Sequence, residues 1–338
     1  MSLSDWHHFH SRFLALGGEV QNLTPRVGVR GRGLFAVDFD RPSGVFCPKQ
    51  IFLNTQHLIF KQAGGITIAE SAGYCPDATS FLHDYYNDWS WHGGGRNEAF
   101  SFLEGLRSLP IQIRARLIEL NILSPILLNP PLDEASLFKR YIFTRTASYE
   151  GSQILAPVWD LVNHSAFVQP FRNTSFGLHT PPRGDDPELL HKYSDLKSPL
   201  GMWAHYGFSC PCTVAFSCPV VLTSVHSPLI IQFLGQHYSK GFNLYGSVTS
   251  DGEVLMVPCF PIGSVSSSLP FATLAAILAP FGIVDLAIRD FYRQLTEYNS
   301  AIRSSLLEQT TSIEAAHVSA LREGLRLEQC LIARSSVV

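Results

Sequence analysis

Leu155-Ala-Pro-Val-Trp-Asp-Leu-Val-Asn-His-Ser165 runs from an apolar, strand-like segment into a polar cluster of Asp160, Asn163, His164 and Ser165. An asparagine and a histidine side by side at the end of a buried strand can offer an amide, an imidazole and two backbone groups to one small polar ligand. A core histidine with a capping asparagine accounts for the same residues on local grounds. A zinc site does not, because neither the ligand spacing nor a partner histidine is nearby.

Upstream, Val29-Arg-Gly-Arg-Gly-Leu-Phe-Ala36 is a glycine-broken loop leading into a strand, and Gly31 and Gly33 let backbone groups approach a ligand closely. The third glycine and the following helix of a dinucleotide fingerprint are missing, so by itself the segment reads as a glycine-rich turn. Downstream, Tyr193-Ser-Asp-Leu-Lys-Ser-Pro-Leu-Gly-Met-Trp-Ala-His-Tyr206-Gly-Phe208 places two tyrosines around a short amphipathic turn. A tyrosine hydroxyl both donates and accepts, so it can orient an amine or polarise a methyl group without ionising. A buried tyrosine otherwise serves as core.

The segments in between predict an α+β scaffold. Trp6 to Leu16 is amphipathic and stops at Gly17-Gly18. Short β-type runs follow at Leu34–Val37, Gly44–Phe46 and Gln50–Leu53, separated by glycine, proline or aspartate. From about 55 to 140 the pattern turns helical, with Asn97–Leu106 and Pro110–Ile122 apolar at three and four spacing. Strand character returns at Ile154–Pro157, Cys212–Phe216 and Val220–Thr223. From about 270 the chain is helical again, through Ala272–Leu278, Val284–Ser300 and a stretch ending near Ile332. This order is not the alternation of a doubly wound sheet.

In this order and at these separations, the three motif segments resemble the SET-domain protein methyltransferases. The Gly31-to-Ala36 stretch is similar to the motif whose backbone cradles S-adenosylmethionine. Asp160-x-x-Asn163-His164-Ser165 is similar to the family's Asn-His motif, and Tyr206-Gly-Phe208, about forty residues later, to its catalytic tyrosine motif. The branch resembled is that of the Rubisco large-subunit methyltransferases. Arg145 ahead of Leu155-Ala-Pro, the helical insertion, Leu106-Arg-Ser-Leu-Pro110 and Leu321-Arg-x-x-Leu-Arg-x-Glu-x-x-Leu331 are all similar to it.

The resemblance implies a SET β-fold with residues 1–55 as its N-terminal part and 56–140 as a helical insertion. Residues 141–225 would be its C-terminal part with the cofactor and catalytic motifs, and 226–338 a helical substrate-binding domain. It implies S-adenosylmethionine as cofactor, met by Arg30, Gly31 and Arg32 mainly through backbone. Arg145 would pair with its carboxylate, and Asn163 and His164 would hold its amino-acid or adenine end. Tyr206 is then the catalytic tyrosine, and Asp160, Tyr193 and Tyr149 line the way in for the substrate side chain.

Three positions depart from the branch. Ser194 stands where a glycine follows the tyrosine, Pro199 where an asparagine commonly follows Ser198, and Tyr149 where a second arginine is expected after Arg145. The departures fall on the substrate side, which leaves the acceptor open between protein lysine, protein histidine and a small molecule. Cys210-Pro-Cys212 with Cys218 invites comparison with a zinc-binding post-SET segment, but the further cysteine needed after the Asn-His motif is absent from Ser165-Ala-Phe-Val168. Their even spacing instead predicts three cysteines on one face of a strand. His7, His8 and His10 read as a solvated helix face.

Composition narrows the partners. Of 338 residues only 16% are charged, against roughly 25% in an average soluble domain. A net charge of −3 provides no basic field for nucleic acid. No run of 18 apolar residues and no cationic lead segment occur, which predicts a cytoplasmic or nuclear protein without a membrane partner. Seven scattered cysteines fit a reducing compartment. The leading expectation is an S-adenosylmethionine-dependent methyltransferase acting on a partner protein's side chain, lysine ahead of histidine. One alternative is a SET-like scaffold turned into a cyclase or pericyclase-type biosynthetic enzyme for an apolar small molecule. Low charge, six lysines and the altered turn before Tyr206 motivate it. Another is a non-catalytic module that docks a protein. Oligomeric state is not written in the sequence.

Overall fold

Short β-branched and aromatic runs cut by glycine, proline and aspartate cannot make long strands. In the computed structural model, which describes residues 3–62, 65–193, 197–235, 249–250 and 254–335, the early strands are accordingly two to six residues long. The chain divides into two units, Met1–Glu104 with Pro131–Ser194, and Gly105–Pro130 with Asp195–Val338.

In the first unit the helix Leu3–Ala15 buries Trp6, Phe9 and Phe13 on one face. The rings of Trp6 and Phe9 lie 5.8 and 5.5 Å from that of Trp89. One antiparallel sheet orders Glu19–Gln21, Gly44–Pro48, Gly177–His179 and Arg172–Thr174. A second orders Leu53–Asn54, Ser152–Leu155 and Thr146–Tyr149. Leu23–Gly28 and Gly31–Ala36 form a separate hairpin. Gln50–Leu53, expected as a strand, opens as a helical turn over Lys49–Ile51 and pairs only from Leu53. The insertion does contain helices, among them Pro76–Asp84, Arg96–Ser108 and Glu134–Phe143. The helical reading from 55 nonetheless starts too early, because Leu58–Phe60 pairs with Ile66–Ile68 first. Strands of three residues are too short to display their period.

In the second unit Val220–Ser224, Ser227–Phe233, Val254–Val257 and Thr249–Ser250 make one sheet in that order, with the middle pair parallel. Val214–Phe216 pairs with Pro261–Ser264. Within 226–338, expected as a mainly helical domain, the described residues before 265 are strand and loop, and helix begins at Leu269. Leu229, Ile231 and Phe233 are buried in alternation, which is the period of a strand. The helices Leu269–Leu278, Asp285–Thr310 and Ala316–Ser335 close a core that includes Ile231, Phe233, Leu255, Ile262, Phe291 and Ile332.

The three cysteines expected on one strand face do not share a strand. Cys210 and Cys212 lie in the loop before Val214–Phe216 and Cys218 lies beyond it. Pro211 between the first two has no amide proton to give a ladder. The mixture of helices and mainly antiparallel sheets is the expected α+β class. Among the described residues no helix is long and apolar enough to cross a membrane.

Candidate functional site

The hairpin turns through Gly31, whose φ of +90° is left-handed backbone that favours glycine. A Cβ on Gly31 would meet nothing within 4 Å, so the turn faces open space. Gly33 is the opposite case, since a Cβ there would lie 2.1 Å from Glu188 Oε1 and 3.0 Å from Asn163 Nδ2. The missing side chain is what lets those two groups reach the hairpin. Asn163 Nδ2 donates to the Arg32 carbonyl at 2.8 Å and to Glu188 Oε1 at 2.7 Å. Arg30 donates to Glu188 Oε2 at 2.8 Å and to Asp186 Oδ2 at 3.1 Å. Burial works against the Arg30 charge, and the two carboxylates more than restore it. Glu188, only 2% exposed, is carried by a segment stitched to the hairpin: the Leu189 N–H donates to the Leu34 carbonyl at 2.7 Å, and the Ala36 N–H to that of Pro187 at 2.9 Å.

Asn163–His164 pairs in parallel with Leu190–His191. His164 Nδ1 accepts the Tyr193 N–H at 3.0 Å, so a neutral ring carries its proton on Nε2. The Tyr193 hydroxyl donates to the Val162 carbonyl at 3.2 Å. The Tyr193 ring stands 5.0 Å from that of His164 and 4.8 Å from that of His191. Burial first, and then His164, push the His191 pKa down to about 3, which keeps that ring neutral.

A charged cluster is joined to this through Arg32. Arg32 Nε donates to Glu98 Oε1 at 3.0 Å and its Nη1 to the Ser90 carbonyl at 3.2 Å. The other Glu98 oxygen accepts from Arg145. Arg145 Nε lies 3.6 Å from Asp160 Oδ2, and its guanidinium 4.2 Å from the centre of the Tyr141 ring. Burial disfavours the charges on both Glu98 and Arg145. Attraction outweighs it, holding Glu98 below the usual carboxylate range and Arg145 above its ordinary value. Asp160 accepts the hydroxyls of Tyr85 and Ser90, with its side chain 1% exposed. Tyr85 in turn accepts the Val158 N–H at 2.7 Å, holding Val158 at φ +68°, an unfavourable backbone for a β-branched residue.

Arg30, Gly31, Arg32, Asn163, His164, Tyr193, Arg145 and Asp160 are thus linked within one unit. Arg145, expected at the cofactor carboxylate, pairs here with Glu98 and Asp160, and Asp160, expected along the substrate path, is enclosed. Tyr149 donates its hydroxyl to the Thr174 carbonyl at 2.5 Å and packs edge-on to Phe52.

Tyr206 belongs to the second unit, as the last residue of the helix Pro199–Tyr206. Ser198 Oγ accepts the Gly201 N–H at 3.1 Å, and Pro199 occupies the first turn, where its missing N–H costs nothing. One departure from the branch therefore has a local use as a helix starter. Gly207 at φ +88° ends the helix. Phe208 then stacks on the Tyr206 ring at 5.9 Å, and Lys197 Nζ lies 4.4 Å from the ring centre. The Leu200 N–H donates to Glu328 Oε1 at 3.1 Å, tying the start of this helix to the last one. Sequence reasoning missed Glu188 and Glu98, and it noted Glu328 only within the Leu321–Leu331 pattern, without giving it a role. The aromatic run Tyr85–Trp91 is the one local signal beside Asp160.

No protein-family model matches the chain, and no curated protein matches it. Among solved structures 17 chains do. Rubisco LSMT bound to AdoMet aligns over 98% of this chain and 90% of its own, at 18% identity and a TM-score of 0.52. The SET domain of LSMT bound to lysine and AdoHcy aligns over 99% of this chain and 91% of its own, at 16% identity and a TM-score of 0.48. The alignment with the AdoMet-bound structure runs nearly end to end in both chains, and its identity is low enough that it speaks to fold. This chain has the SET-domain fold of Rubisco LSMT.

Proposed function

We propose that this protein is an S-adenosylmethionine-dependent methyltransferase that acts on a protein side chain, lysine in the first place. The observation that carries this reading is the seating of Asn163, whose amide joins the glycine hairpin to the buried Glu188. The cofactor is a zwitterion with an added sulfonium, and the groups here suit it: open backbone at Gly31 and the Arg30 guanidinium lie on the hairpin, and the Glu188 carboxylate lies on the segment stitched to it. Support also comes from the fold, since a similar structure, Rubisco LSMT, is bound to AdoMet.

On this reading Arg30, Gly31, Arg32, Asn163 and His164 hold the cofactor, and Arg145 takes its carboxylate in exchange for Glu98. When bound, the cofactor supplies an activated methyl group on sulfur. The protein's own task is to align the acceptor, exclude water and let the amine lose its proton in a poorly solvated place. Such alignment contributes roughly 7–11 kcal/mol in the best intramolecular cases. Tyr206 orients the amine through its hydroxyl. Its ring face accepts cations, as the Lys197 ammonium 4.4 Å from the ring centre illustrates, and this favours an amine over an apolar acceptor.

Calorimetric titration of S-adenosylmethionine and S-adenosylhomocysteine into the protein tests the reading. We expect binding to the wild type that is lost in Asn163→Ala. Tyr206→Phe should bind normally and transfer methyl groups about 100-fold more slowly or worse. Absence of binding by the wild type, or full transfer by both variants, sinks it. Turnover of an apolar small molecule without cofactor consumption would put the repurposed scaffold in its place.

A further inference from the structure

Cys210 and Cys212 flank Pro211 in the loop that follows Tyr206-Gly207-Phe208, and their Sγ atoms are 3.9 Å apart. Both are partly exposed. The remaining thiols have other settings. Cys47, Cys218 and Cys259 are buried, and burial pushes all three thiols up, away from the reactive thiolate. Cys75 and Cys330 are exposed.

We propose that Cys210 and Cys212 form a dithiol site that a small-molecule disulfide, such as glutathione disulfide, closes reversibly to a disulfide within the loop. Bonded sulfurs sit about 2.05 Å apart, so closure asks each to move by about 1 Å. Pro211 fixes φ of the residue between them, which limits how far the two cysteines can drift apart. The loop lies outside helix and strand, so no ladder opposes the adjustment. A bridge across a single residue is strained, and strained, accessible bridges are the readily reduced kind. That suits a reversible site better than a structural staple.

The exchange balances. One protein thiolate attacks glutathione disulfide and releases a glutathione thiolate. The second protein thiolate then displaces the other glutathione from the mixed disulfide. Two protein thiols become one disulfide, one glutathione disulfide becomes two thiols, and the protons pass to the leaving thiolates. Nothing in this depends on methyl transfer.

The test equilibrates the intact protein in mixtures of reduced and oxidised glutathione, quenches with an alkylating agent and weighs the peptide that spans both cysteines. We expect that peptide to carry two alkyl groups from reducing mixtures and, as the mixture becomes oxidising, none, with a mass two hydrogens below that of the free dithiol; dithiothreitol before the quench should restore both alkyl groups. Cys75→Ser and Cys330→Ser should leave the change intact. Cys210→Ser and Cys212→Ser should abolish it and accumulate a glutathione adduct on the cysteine that remains. The proposal is overturned if both thiols stay alkylatable in fully oxidised glutathione. Stable glutathione adducts on the wild-type pair without closure, or a bridge from either cysteine to a third, would overturn it equally.

Discussion

Replacing Glu328 by alanine tests how the second unit is held together. Glu328 is 1% exposed and Arg303 is 2% exposed. Arg303 donates through Nε to Glu328 Oε2 at 2.8 Å, through Nη1 to the Asn299 carbonyl and Oδ1 at 3.0 and 3.1 Å, and through Nη2 to the Phe216 carbonyl at 2.9 Å. The other Glu328 oxygen accepts the Leu200 N–H. Burial opposes the Arg303 charge, and Glu328 is the chief group that restores it. A guanidinium cannot shed its proton in a protein, so removing the carboxylate leaves an uncompensated interior charge and an unsatisfied amide. Breaking a buried pair in this way costs about 3–5 kcal/mol. Against a total stability of about 5–15 kcal/mol that is a large fraction. With a urea m-value of about 2 kcal/mol/M, the midpoint of unfolding should fall by about 1.5–2.5 M. Glu328→Gln, which keeps an acceptor for Leu200, should fall less. Combining Arg303→Met with Glu328→Leu should recover much of the loss, because no charge remains inside. An unchanged midpoint for Glu328→Ala, or a double variant weaker than the single one, refutes the reasoning.

Two further outcomes follow from the first unit. Folding holds His191 neutral by lowering its pKa from 6.5 to about 3, so its contribution is complete above pH 6.5 and shrinks as pH falls from there toward 3. The loss at pH 5 is about 2 kcal/mol, and melting temperatures recorded across that range should fall less steeply for His191→Phe than for the wild type; parallel slopes would contradict this. Gly33→Ala would drive a methyl group into Glu188 and Asn163. It should cost about 1–3 kcal/mol in chemical unfolding and weaken S-adenosylmethionine binding, whereas wild-type behaviour in both would show that the close approach at Gly33 is not required.

Several features were legible in one dimension because their causes are local. The amphipathic spacing of Trp6, Phe9 and Phe13 is a local helix signal, and the helix Leu3–Ala15 carries it. The same holds for Val284–Ser300, which lies almost wholly within the helix Asp285–Thr310. Leu229, Ile231 and Phe233 show that a readable period can still be passed over inside a segment taken as mainly helical. For Leu58–Phe60 and Ile66–Ile68 there was no period to read, since a three-residue strand is defined by its partner.

The candidate site divides in the same way. Sequence alone singled out its motif residues as candidates, the reason being that glycine in a turn, asparagine beside histidine and tyrosine before glycine each state a local conformational or chemical need. It also determined the α+β class through the order of periodic segments. Only the tertiary structure decided which charges answer which. Glu188 reaches Arg30 across 158 residues and Asn163 across 25, while Glu98 joins Arg32 to Arg145. A single carboxylate does not announce its partner in the sequence, because that partner is set by the packing that buries it.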